Sequence, residues 1–403
     1  MSDPLILHEH LWSRAVALTA SERQVLASVR DVVVSATAVE GIYDVRPGST
    51  VGSLSVDGRT ILIRPKIGFA RALFLVSHAI DNAAWGEDEA EHAEADRVVD
   101  AVASAFARVA ARALRRGPLQ GYRPTEDSLH TVRGRIRVAD QLRVRLGIVP
   151  PIEVVFDEFT ADVIENRLLR AALHVIRRTG VRSTTLSGSL RAIEARLEDV
   201  ALVEYEPRRL PTLRYTRLNA HYQPALELAR YILASSSYEL RGGEVRATAF
   251  VIEMNRAFED FVVVALREAL NVPPHVFPQG VRHRLWLDQD ERLELRPDLS
   301  WWEGERCAFV GDVKYKRTDL DGEPADLYQL LAYLIGTDLD QGMLVYAAGE
   351  AEPATHTVHL LGRRLIVRAL NLQGEPAEIL AEVGRLAGEV RKMRGRATSV
   401  LAA

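Results

Sequence analysis

A single cysteine, Cys307, stands in the 403 residues. One thiol cannot build a disulfide framework or a cysteine-rich zinc module, and such sparing use fits a reducing compartment. Lysine is nearly as scarce: of 51 basic residues only Lys66, Lys314, Lys316 and Lys392 are lysines. Long apolar runs are missing, none approaching the roughly 18 residues a membrane helix needs. The opening MSDPLILHEHLW has no basic leader and no small-residue cleavage site, so we expect a cytoplasmic chain with no membrane association. An excess of either charge is also missing. The formal net charge is −4, so overall charge does not announce a nucleic-acid binder.

What is present is ordinary for a soluble globular protein: 47% hydrophobic and 26% charged residues. At about 150 residues per domain the length implies two or three domains. We read an α/β chain in three parts: a β-rich N-terminal region (1–120), a mainly helical middle (121–244) and an α/β module (245–403). In the first part Asp31–Val39 is a β-branched run, and Asp57-Gly58 between two apolar stretches signals a tight hairpin. Helices follow over about Ala70–Ala84 and Glu89–Arg115. Gly117–Arg123 is a breaker cluster. Beyond it a strand is predicted at Ile152–Phe156, then a helix reaching about Thr179 with Thr160 as its N-cap. More helix is expected at Leu186–Val200 and Pro224–Ala234. Ser235–Ser237 and Gly242-Gly243 mark the next boundary. The charge is patterned: seven acids and one arginine lie between Glu87 and Asp100, and nine arginines against three acids between Arg112 and Leu146. The basic stretch is either a phosphate-contacting surface or a solvated helix face.

The last module carries the chemistry. Leu293–Trp302 reads as a strand holding Pro297-Asp298, and Cys307–Lys316 as a strand holding Asp312 and Lys314. Alternation puts Asp312 and Lys314 on one face. Two carboxylates converging from neighbouring strands suit magnesium, or manganese in its place. Such an ion lowers the pKa of a bound water, while a lysine ammonium holds that water and stabilises phosphorane charge. The helix read over Phe250–Leu270 buries Met254, Phe258, Val262 and Ala265. It leaves Glu259 at the edge of that stripe as third acid, with Glu253 and Asp260 on the solvent side. In the next helix Gln329 and Tyr333 share a face; they contact DNA backbone and the lysine, or Tyr333 is simply core. His8-Glu9-His10 and His356…His359 lack H-E-x-x-H spacing and read as surface pairs rather than zinc ligands. Trp301-Trp302 either line a DNA channel or divide between core and rim.

The order Glu259, Pro297-Asp298, Asp312-Val313-Lys314, Gln329-x-x-x-Tyr333 resembles the PD-(D/E)xK nuclease superfamily, in the branch shared with RecB-type exonucleases. Ile61–Gly68 (ILIRPKIG), Asp157–Ala172 (DEFTADVIENRLLRAA), Glu253–Val262 and Asp312–Lys316 together resemble the McrC family, over about residues 30 to 370. That resemblance implies a restriction-endonuclease-like C-terminal domain. It further implies the nuclease subunit of a modification-dependent restriction system, cutting DNA with magnesium and docked through its N-terminal region on an AAA+ GTPase of McrB type. Asp298, Asp312 and Lys314 match the family's catalytic positions, with Glu259 as a further ligand. The chain has no G-x-x-x-x-G-K-[ST], so nucleotide hydrolysis would belong to the partner. One such site cuts one strand, and a double-strand cut needs a higher assembly that pairs two sites. The alternatives are a free-standing RecB-like nuclease and a non-cleaving activator of an AAA+ motor.

Overall fold

A computed structural model describes residues 3–80, 98–145, 147, 149–179, 181, 183–235, 247–280, 283–316, 323–347 and 354–399. Most of the acidic run and the Ser/Gly boundary around residue 240 lie outside the described residues. The chain divides into two compact units: Met1–Val98 with Leu240–Ala247 and Val251–Ala403, and Val99–Glu239 with Thr248–Phe250. The sequence reading separated the first and last regions, but they belong to one unit. The physical reason is a shared core, in which Phe74 meets Phe261 edge-on with ring centroids 5.5 Å apart.

The first unit opens with β1 (Leu5–His8), β2 (Ser13–Ala17), α1 (Ala20–Ser28), β3 (Val32–Ala36), β4 (Ile42–Pro47), β5 (Thr50–Val56), β6 (Arg59–Arg64) and α2 (Phe69–Ile80). A reciprocal capping box starts α1: Glu22 N donates to Thr19 Oγ1 at 3.2 Å and Thr19 N donates to Glu22 Oε2 at 2.8 Å. The expected hairpin forms with Val56 opposite Arg59. Asp57 and Gly58 both take positive φ, 48° and 86°, as this two-residue turn demands. β1 adds to the hairpin in parallel, pairing with β6, while β2, β4 and β3 make a separate antiparallel sheet.

The second unit contains α3 (Val98–Ala113), β7 (Gly121–Leu129), β8 (Arg135–Ile136), α4 (Val138–Val144), β9 (Ile152–Thr160), α5 (Ile164–Arg178), α6 (Thr184–Arg196) and α7 (Gln223–Ser235). β7 was not read from the sequence, because Gly121 and Pro124 look like loop residues; antiparallel pairing to β9 over its whole length holds it. Thr160 is the last strand residue rather than a helix cap. Its Oγ1 accepts from Asp162 N at 3.1 Å, and α5 begins after Val163 without a side-chain cap. The Glu165-Asn166-Arg167 triplet is structural. Asn166 is fully buried and donates to Leu119 O at 2.8 Å and Ala161 O at 2.7 Å. Arg167 grips Asp162 with two bonds of 2.6 Å, and Glu165 accepts from Asn219 at 3.0 Å. At least four of the nine arginines of the basic stretch are in ion pairs with acids of the same unit: Arg123 pairs with Asp162, Arg137 with Glu126 and Asp140, Arg143 with Asp140 and Arg145 with Glu153.

The chain returns through β10 (Ala247–Glu253) and α8 (Met254–Leu270), then β11 (Leu285–Trp286), β12 (Glu294–Leu295), β13 (Leu299–Glu303), β14 (Arg306–Lys314), α9 (Pro324–Thr337), β15 (Gln341–Ala347), β16 (Ala354–Thr357), β17 (Arg364–Leu370) and α10 (Pro376–Ser399). The helix read from Phe250 starts four residues later, since Phe250-Val251-Ile252 prefer extended backbone. β10 lies beside β5. Glu253 closes the strand and caps α8, accepting from Asn255 N at 3.0 Å and Arg256 N at 3.3 Å, so it is a cap rather than a free solvent-side acid. The main sheet runs β13-β14-β15-β17-β16. β14, β15 and β17 are parallel, with antiparallel edges. Its central strands are buried on both faces and mostly apolar, as parallel strands covered on both sides are, with Asp312 the exception inside β14. On one face Val310 and Leu344 pack with Leu330, Tyr333 and Leu334 of α9. Among the described residues no helix is long and apolar enough to cross a membrane.

Two outcomes follow from this packing. Asn166→Ala leaves two half-buried carbonyls without their donor and lowers the unfolding free energy of the full chain by about 2 kcal/mol in urea titration. His78 lies buried between Phe74 and Phe261, its Nε2 3.2 Å from Glu268, and burial pushes its pKa down to about 4. The unfolded chain therefore binds this proton more tightly. The contribution is complete above about pH 6.5 and is lost as pH falls toward 4, by up to about 3 kcal/mol. Denaturation at pH 7 and 4.5 should show this loss in the native chain and a smaller one in His78→Phe.

Candidate active site

Asp312 lies in the middle of the unit, on buried β14, and only 1% of it is exposed. Strand alternation turns Val310, Asp312 and Lys314 toward α9 and turns Tyr315 the other way, where its ring lies 5.9 Å from Phe258 of α8. Lys314 is the last residue of the strand, and its Nζ stands 2.5 Å from Asp312 Oδ2. That oxygen is otherwise without a hydrogen-bond partner.

Asp298 was expected within a strand. It occupies a bend between β12 and β13, because Pro297 cannot donate to a ladder. The bend lets its carboxylate reach the neighbouring strand: Val313 N donates to Asp298 Oδ2 at 2.9 Å. Burial, reinforced by the negative charges of Asp312 and Glu259, pushes Asp298 up to about 8. Burial also raises Asp312, outweighing the attraction of Lys314. Burial works against the Lys314 charge, but Asp312 more than compensates and the ammonium is raised.

Glu259 sits half-buried on α8, at the stripe edge the sequence placed it on. Burial raises its pKa first, and Asp260 and Asp312 add to the rise. It therefore lies within electrostatic reach of the pair without joining it. Asp260 accepts from Gln279 at 2.6 Å. Among the described residues no three His, Cys, Asp or Glu side chains form a ready metal-binding cluster.

Of the two alternatives read for the α9 pair, the structure shows the core one. Tyr333 is buried in the core of the α9 face, yet its hydroxyl donates to Arg296 O at 3.0 Å and accepts from Gln329 Nε2 at 2.6 Å. Burial and the charge of Asp312 hold this phenol in its protonated form. One contribution was missed. Lys316 Nζ lies 2.8 Å from both Glu323 and Asp326, pinning the start of α9 to the end of β14; the scarcity of lysine was the signal that pointed there. Trp301 and Trp302 are both buried and line a cavity of about 590 Å³ that the aspartates do not line. His283 stacks on Trp302 at 4.0 Å, and the Arg394 guanidinium lies 4.8 Å from the Trp301 ring centre. Of the histidine pairs, His8 and His10 are exposed as read, while Glu9 between them is buried.

A buried and a half-buried aspartate beside an ammonium can hold a hard divalent cation and orient an attacking water. Comparison with known proteins bears on which chemistry that is. A family model described as the McrBC 5-methylcytosine restriction system component matches residues 45–347. No curated protein matches the chain. A refined half-complex of Thermococcus gammatolerans McrB AAA+ hexamers with bound McrC is similar at a TM-score of 0.52 and 16% identity, covering 96% of this chain and 100% of that one. The cryo-EM structure of the same organism's McrBC complex gives a TM-score of 0.40 and 16% identity, over 66% of this chain and 88% of that one.

The charge balance of the site makes its own prediction. Asn at position 298 keeps the acceptor for Val313 N and removes a carboxyl that burial disfavours. In chelator-treated protein at pH 7, Asp298→Asn should raise stability by about 2 kcal/mol, read as a higher melting temperature.

Proposed function

The chain belongs to the McrBC 5-methylcytosine restriction system component family, and on that footing we propose that it is the DNA-cutting subunit of such a system. The observation that carries this reading is the juxtaposition of Asp298, Asp312 and Lys314 at the end of one buried strand. Hydrolysis of a phosphodiester needs negative charge neutralised and a water aimed at phosphorus. The donor set fits a divalent cation: two hard carboxylates, one with a buried oxygen that meets the Lys314 ammonium. Asp298 and Asp312 would hold magnesium or manganese, with Glu259 placed to support them. Bound there, the ion supplies positive charge for the developing phosphorane and acidifies water.

The chain's own groups do the rest. Lys314, at the strand end and partly exposed, orients the water and shares the growing charge on the non-bridging oxygens. Asp312 holds that ammonium in place. Tyr333 and Gln329 form one hydrogen-bonded arm from α9 to the backbone beside Asp298, which keeps the Pro297-Asp298 bend against β14.

In this reading the substrate is modified DNA, and an AAA+ GTPase partner of McrB type drives the reaction in the cytoplasm; the similar structure is a complex of McrC with McrB AAA+ hexamers. A double-strand cut requires two chains. The test is cleavage of methylated and unmethylated plasmid in magnesium, with and without an AAA+ protein encoded beside this chain. Cutting is expected only with partner and GTP. Asp312→Ala and Lys314→Met should each slow it by about a thousandfold or more and leave GTPase stimulation intact. Cutting by the chain alone would favour a free-standing nuclease. No cutting with GTPase still stimulated would favour an activator.

A further inference from the structure

Resting on the nuclease reading, we propose that Glu9, Lys66 and Tyr315 are positioning residues that hold Lys314 and Glu259 against the aspartate pair. The parallel ladder between β14 and β15 ends at Lys314, opposite Tyr346. Among the described residues no ladder pair follows it, and the next residue is held from outside the sheet. Tyr315 is 3% exposed, and its hydroxyl donates to Glu9 Oε2 at 3.3 Å. The Lys66 ammonium lies 4.0 Å from the centre of its ring. Phe258, the residue before Glu259, lies 5.9 Å from the same ring.

Glu9 is built into the N-terminal sheet rather than laid on it. It is 4% exposed; its backbone N donates to Arg64 O at 3.0 Å, and its Oε2 accepts from Lys66 N at 2.9 Å. A buried carboxylate is costly unless it is paired, and here it is spent on one tyrosine and the chain of Arg64-Pro65-Lys66. That conserves a single geometry: the ends of β1 and β6 clamp the ring that separates Lys314 from Lys316. The lysine at 66 stands in a chain that uses arginine almost everywhere else. Release of the clamp frees the strand end to rotate, and a displacement of about 1 Å at a reacting group can cost about a hundredfold in rate.

The test uses the full chain with its AAA+ partner. It reads single-turnover plasmid cleavage, GTPase stimulation, and acylation of the four lysines by mass spectrometry. Lys66→Met is expected to slow cleavage about tenfold or more and to leave GTPase stimulation within about twofold. It should also increase labelling of Lys314 but not of Lys392. Lys66→Arg, whose guanidinium also stacks on a ring, should restore both cleavage and protection. Wild-type cleavage and unchanged Lys314 labelling in Lys66→Met would overturn the proposal. So would joint loss of cleavage and GTPase stimulation without rescue by arginine, which marks a folding or docking role. Asp312→Ala is the control for the underlying reading: if it still cuts, the nuclease assignment fails, while the Lys314 labelling still reports on the clamp.

Discussion

Two carboxylates held close together, one of them fully buried, are the constraint around which the larger unit is arranged. Asp298 and Asp312 repel each other, and burial strengthens that repulsion. Three devices hold them: the Val313 amide on Asp298, the Lys314 ammonium on Asp312, and the rigid apolar sheet that fixes β14. The compensation is incomplete, which leaves the site receptive to added positive charge. A group that binds cations is in this sense a destabilised one, and the surrounding core carries the cost.

The fold delivers those groups through one strand. Because β14 alternates, Val310, Asp312 and Lys314 turn to the α9 face. Asp312 thus lies within electrostatic reach of Tyr333, while Tyr315, turned the other way, meets Phe258 and the N-terminal residues Glu9 and Lys66. The second unit is organised by a different centre. Asp162 accepts from Arg167 twice and from Ala201 N at 2.9 Å, and pairs with Arg123; these bonds hold its pKa well below the usual carboxylate range. The Glu165-Asn166-Arg167 triplet belongs to that scaffold, which accounts for a motif without catalytic logic.

Much was legible in the sequence because the signals were local. The Asp57-Gly58 turn requires positive φ at two residues, so the hairpin register followed directly. Asp312 and Lys314 are two residues apart on a strand, and period two alone puts them on one face. The buried stripe Met254, Phe258, Val262 and Ala265 announced α8 and placed Glu259 at its edge. Lysine scarcity marked Lys314 and Lys316, both of which turned out to be ion-paired.

What only the tertiary structure decided depends on contacts between distant segments. Asp298 lies in a bend, and only the amide of Val313 fixes where its carboxylate points. Glu253 is a helix cap because β10 runs up to α8, a boundary set by pairing and not by periodicity. β7 exists because β9 lies beside it. The N-terminal and C-terminal regions share one unit, and Glu9 and Lys66 reach Tyr315 across about 250 residues or more of sequence. Local patterns specify which way a side chain points within its own element; they carry no information about which element will face it. The types of residue at the site were therefore written in the sequence, and their burial, their mutual charge and the clamp that holds them came with the folded chain.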